Sequence, residues 1–146
     1  MARIKKWRSK EIVQKVSENV SKAMGEIALR AEGHSKRELR KGHGVVSGTL
    51  RRSIHTAQPG YDWSKDGASV TIKGKRAKGS SFTLGGKLID ALIESKKITI
   101  QLGSGLGYAL PVHQGHHSFS GYHYLTNGVD KAKPELPAVL KKHELR

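Results

Sequence analysis

Eight histidines and no cysteine set the chemistry open to this chain of 146 residues. His113, His116, His117 and His123 fall within 11 residues, while His34, His43, His55 and His143 are scattered. Three imidazoles that converge with a fourth ligand make a zinc site, and His113 and His117 would share a face if one helix ran through both. Gly115 and Ser118-Phe119-Ser120-Gly121 read as loop instead, and no Asp or Glu stands between His113 and His123 to act as the base of a zincin-like centre. The group therefore reads as surface or interface histidines, responsive to pH near neutrality, and neither a metal nor a cofactor is expected.

Other catalytic patterns fare no better. Asp62 and Asp66 are spaced to hold magnesium, but they sit in a turn beside Lys65, where a solvated acidic pair is the expectation. Ser47, Ser53 and Ser104 lack a nucleophile-elbow motif. Gly103-Ser104-Gly105-Leu106-Gly107 follows a predicted strand like a dinucleotide loop, yet it is shorter than that fingerprint and Pro111 breaks the helix that should follow. The missing cysteines exclude disulfides, thiolate nucleophiles and Cys-ligated metals. The expectation is a protein that is not an enzyme.

Basic residues are the other resource. Lys and Arg number 27 against 12 acidic residues, a formal charge of +15, which favours polyanionic surroundings. They group as Arg3, Lys5, Lys6, Arg8 and Lys10; as Lys36, Arg37, Arg40, Lys41, Arg51 and Arg52; as Lys73, Lys75, Arg76 and Lys78; and as Lys131, Lys133, Lys141 and Lys142. No zinc finger, stacking motif or recognition helix accompanies them. Arg3, Lys5, Lys6, Arg8, Arg51, Arg52, Lys73, Lys75, Arg76 and Lys78 are the candidates for contact with a DNA backbone or an acidic partner.

The elements that must position these groups follow from periodicity. Apolar residues at Ile12, Val16, Val20, Ala23, Ile27 and Ala31 recur every three or four positions and predict an amphipathic helix over 9–41, with Ser9 as N-cap and Gly33 as a candidate break. Thr49 or Ser47 caps a helical turn leading into a strand over 53–57. Strands over 68–73 and 97–103 are expected to pair antiparallel around a long basic insertion at 74–97 that carries a short helix over 87–95. A short helix at 108–114 ends at Gly115, and a C-terminal helix opens at Tyr124, with Pro134 and Pro137 interrupting it or opening a new one. Ile12, Val16, Val20, Ile27, Leu50, Ile54, Val70 and Ile100 are the expected core.

The length suits one domain. The division is a basic arm at 1–8 and a single α+β domain at 9–146, with a long N-terminal amphipathic helix packed on a small antiparallel sheet, short connecting helices and a C-terminal helix. No apolar run is long enough to span a membrane, and no signal-peptide core follows the N-terminus, so a soluble, membrane-free protein is expected.

Ser47-Gly48-Thr49-Leu50-Arg51-Arg52-Ser53-Ile54, then a hairpin, then Tyr108-Ala109 with Val112 and Gly115, then Tyr124-Leu125, resembles the small neck and tail-component (tail-completion) family of tailed bacteriophages. The family's Thr/Ser-Gly-x-Leu turn falls on residues 47–50, its Tyr-Ala pair on Tyr108 and Ala109, and its glycine on Gly115. His113 stands where a glutamate commonly precedes that glycine, and His116 where a threonine often follows it. The resemblance implies a structural virion protein at the head–tail junction, assembled in the bacterial host cytoplasm. It implies a homo-oligomeric ring, hexamer or dodecamer, with other neck, connector and tail proteins as partners and packaged DNA nearby. Phe82, Leu84, Tyr108, His113, His116, His117, Phe119 and Tyr122 are the expected subunit-interface residues. The competing expectation is a small basic protein that contacts the nucleic-acid backbone without sequence preference.

Overall fold

In the computed structural model, residues 9–45, 48–66 and 97–144 are described. The basic arm at 1–8, the strand expected at 68–73 with Val70, and most of the insertion at 74–97 lie outside them. So do Phe82, Leu84, Lys73, Lys75, Arg76 and Lys78.

Helix α1 (Ser9–Glu38) is continuous for 30 residues. Gly33 does not break it, because straight-chain and small neighbours carry the helix through a position that costs only about 1 kcal/mol relative to alanine. Beyond it come a two-residue ladder of β1 (Arg40–Lys41) and β2 (Gly44–Val45), the single-turn α2 (Thr49–Ser53) and β3 (His55–Ala57). A 3₁₀ turn covers Trp63–Asp66. After the insertion come β4 (Gln101–Gly103), α3 (Ala109–Gln114) and α4 (Tyr124–Ala132). A 3₁₀ turn at Lys133–Glu135 links α4 to α5 (Leu136–Lys142). The fold is α+β, with α1 touching both strands of a small antiparallel sheet and packing along its length on the C-terminal helices. No helix among the described residues is long and apolar enough to cross a membrane.

The pairing expected between 68–73 and 97–103 involves residues outside those described. β4 pairs with β3, in the register His55↔Gly103, Thr56↔Leu102 and Ala57↔Gln101. Of the alternating stretch over 97–103, only the last three residues join this ladder, and Ile100 is half-buried rather than core. The strand expected over 53–57 begins at His55, because Ser53 still belongs to α2 and its hydroxyl donates to the Leu50 carbonyl at 2.7 Å.

The C-terminal segment runs back along α1, and ion pairs mark its course. Lys131 meets Glu38, Glu135 meets Arg30 and His34, and Lys142 and His143 meet Glu26. The cover ends at the level of His143, which lines a cleft of about 240 Å³ with Val16, Val20 and Leu140. Ile12 and Val16, expected in the core, project beyond it and are 44% and 43% exposed. Val20 and Ile27 are half-buried at its margin. The face of α1 that is buried carries Ser17, Ser21, Ala23, Ala31, Glu32 and Ser35, and at Ala31 and Ser35 the small side chains let Gly128 of α4 approach closely. The core itself joins Leu39, Leu50, Ile54, Ala109 and Tyr124, so Leu50 and Ile54 stand where the sequence places them.

Candidate functional site

The region after β4 gathers the exposed apolar groups. α3 packs Ala109 inward and leaves Tyr108 and Leu110 48% and 59% exposed. Gly115 closes it with φ +97°, a conformation that side-chained residues avoid, and its amide donates to the Pro111 carbonyl at 2.8 Å. The chain then turns back on itself. His116 and Phe119 exchange backbone hydrogen bonds at 2.9 and 3.0 Å, and the amides of Tyr122 and His123 donate to the carbonyls of Val112 and His113. Gly121 packs its backbone on that of Gly115 so tightly that a methyl group at either would collide with main chain. The loop at 115–123 is thus a fixed projection, with Phe119 at 40% exposure near its tip and supported edge-on by Tyr122.

Beside the projection lies a cleft of about 280 Å³ lined by Trp63, Leu102, Ser104, Leu110, His113 and Tyr124 among others. Tyr124 forms part of its wall. Its hydroxyl donates to the Ala109 carbonyl at 3.1 Å, and burial pushes it up to about 12. His113 stands at the rim with its ring edge-on to Tyr124 and to His123. Burial, together with the neighbouring His123, holds His113 below the ordinary histidine value.

Of the expected interface residues, Tyr108, His113, His116, His117, Phe119 and Tyr122 come together on α3 and this loop, while Phe82 and Leu84 lie outside the described residues. His116 and His117 are exposed and stack at 3.9 Å between ring centroids. His117 lies past the end of α3 with φ +50°, so it does not share a helical face with His113. Among the described residues, no three His, Asp or Glu side chains are grouped to hold a metal. Arg51 and Arg52 are exposed on α2.

Asp66 overturns its sequence reading. It is 1% exposed rather than solvated, and it accepts from Tyr61 at 2.6 Å while lying 2.6 Å from Nε2 of the fully buried His55. The His55 ring stacks on Trp63 and faces Tyr61 edge-on, and its Nδ1 lies 3.0 Å from the Thr56 carbonyl. Burial, then the hydrogen bond to Asp66, pushes the Tyr61 phenol up to about 12. Both imidazole nitrogens are engaged and the ring is sealed, so this His–Asp pair fastens residues 61–66 to the sheet and cannot reach a substrate. Gly105 makes room, since a side chain there would strike the Trp63 carbonyl. The spacing of Asp62 and Asp66 drew attention to the right residue, but only the tertiary fold shows its surroundings. Leu110, 59% exposed, was not among the interface residues named from the sequence.

No family model, no curated protein and no solved structure matches the chain.

Proposed function

We propose that this chain is a structural virion component of the phage head–tail junction, a neck or tail-completion protein that assembles with copies of itself into a ring and performs no catalysis. The observation that carries the reading is the fixed projection at 115–123 beside an open cleft, with Tyr108, Leu110 and Phe119 exposed around them. Exposed aromatic and aliphatic anchors on a rigid backbone are what subunit interfaces use. A protrusion and a cleft on one chain mate head to tail, and head-to-tail contacts that close make rings rather than two-fold dimers.

The motif order supports the same reading. Gly48, Thr49 and Leu50 lead into β3 through α2, Gly48 having φ +76°, and Tyr108-Ala109 and Gly115 bracket α3. The order of these segments along the chain is what the resemblance to the tail-component family rests on. The sealed state of the buried His55–Asp66 pair favours a structural role. Electron microscopy of nuclease-treated protein tests the proposal: closed rings are expected, alone or with neck partners. A uniformly single particle under all these conditions contradicts it.

A further inference from the structure

We infer that the C-terminal end of α1, the β1–β2 ladder and α2 together form a face that binds the phosphodiester backbone of duplex nucleic acid without reading its sequence. Arg37 lies in the last turn of α1, and Arg40 and Lys41 form β1, all three exposed. β1 is in register with β2, and α2 packs on β2, which brings Arg51 and Arg52 to the same end of the molecule. The Arg52 guanidinium folds back to Gly48, the residue at the start of α2 and nearest to β2, at 3.3 Å from where a Cβ would stand.

Carboxylates near this end are already engaged. Glu38 is taken by Lys131 from α4, and Glu32 by Lys36 at 2.6 Å. Lys131 also holds the Glu38 carboxyl below its ordinary value. Among the described residues, no carboxylate pairs with Arg37, Arg40, Lys41 or Arg51. Their charge faces outward uncompensated, and they belong to one of the basic groups of the sequence, which the pairing of β1 with β2 and the packing of α2 on β2 keep together.

The character of the face selects the partner. Protein interfaces centre on apolar or aromatic anchors, and every large apolar side chain exposed among the described residues lies elsewhere, on the N-terminal part of α1, on α3 and its loop, or on α4 and α5. Single-strand binders stack bases on exposed aromatics. His43, between β1 and β2, packs on Tyr122 at 4.1 Å between ring centroids, and both rings are half-buried. Among the described residues of this face α2, with 5 residues, is too short to serve as a recognition helix. Cations alone suffice for phosphate contact, and phosphate contact carries no base information. The face stands whether or not copies of the chain assemble.

The test is binding of the whole protein to a fluorescent mixed-sequence DNA duplex over a salt series. Two triple variants remove equal charge: Arg40→Gln, Lys41→Gln, Arg51→Gln on the face, and Lys10→Gln, Lys15→Gln, Lys22→Gln on the exposed side of α1. The face variant should weaken binding about tenfold or more and flatten the slope of log affinity against log salt by about 2 to 3, at about 0.9 per lost phosphate contact. The α1 variant should change the slope by less than about 1, and R40K with R51K should keep it. Two duplexes of different sequence should bind alike. Circular dichroism melting checks that the variants fold. Equal losses in the two triple variants, failure of the unmodified protein to bind duplex, or binding of polyglutamate by this face in place of DNA would each overturn the inference.

Discussion

Gly128 of α4 rests on Ser35 of α1 with no room for a side chain between the two backbones. A Cβ at this position would meet the Ser35 amide and the Ala31 carbonyl, main-chain groups that cannot swing aside. Replacing Gly128 by alanine should therefore destabilise the fold by about 1 to 3 kcal/mol, even though alanine is the better helix former. Gly25 provides the contrast, being inside α1 with nothing within 4 Å of its Cβ position. Gly25→Ala should stabilise by up to about 1 kcal/mol. Urea denaturation of the two variants measures both signs.

The buried network around Asp66 should be costly to open. Asp66→Ala leaves His55 and Tyr61 without their partner in a region closed to water and should cost about 3 to 5 kcal/mol. Tyr61→Phe removes one hydrogen bond to the carboxylate and should cost about 1.5 to 3 kcal/mol. A double-mutant cycle on equilibrium unfolding would show coupling between the two; simple additivity would mean that the network is not a unit.

Acid should loosen the C-terminal segment from α1. His143, Arg30 and Lys142 hold the Glu26 carboxyl at about 2, against an ordinary value of 4.5. Arg30 and His34 lower Glu135, and Lys131 lowers Glu38. A carboxylate with a depressed folded pKa contributes stability above its unfolded value and loses it as pH falls toward the folded one. Melting temperature should thus fall between about pH 4.5 and pH 2, and Glu26→Gln should start lower and fall less steeply over that window. His113, held below its ordinary 6.5, works in the same direction from a higher pH, because the unfolded chain takes up its proton first.

The helices were legible in the sequence and their burial was not. Spacing of three and four predicts α1, Gly115 ends α3, and Pro137 opens α5 at its first turn. The buried side of α1 was misread at its N-terminal end, because the apolar stripe continues past the point where the C-terminal helices stop, and because Ser17, Ser21 and Ser35 are buried by the close approach of other elements rather than by their own hydrophobicity. Alternation shows that residues near Gln101 are extended, but the pairing of β4 with β3 was not readable from it. The loop side of the candidate site was readable from Gly115, Phe119 and Gly121, since glycine and a lone aromatic signal a turn that exposes an anchor. The cleft beside it, made by residues from 63 to 125, was not.

Core and stripe can be separated by one comparison. Leu50 is 4% exposed and Leu50→Ala should cost about 2 to 5 kcal/mol. Ile12→Ala, at 44% exposure, should cost less than about 1 kcal/mol in the isolated chain. Equal costs in thermal unfolding would place Ile12 under cover.

Native mass spectrometry of the purified protein beside its Tyr108→Ser, Phe119→Ser variant bears most directly on the proposed assembly face. The unmodified chain should give one discrete oligomer, and the double variant should give monomer with an unchanged melting temperature. An oligomer that persists in the variant, or a wild-type chain that stays monomeric at every concentration with and without neck partners, would contradict the account.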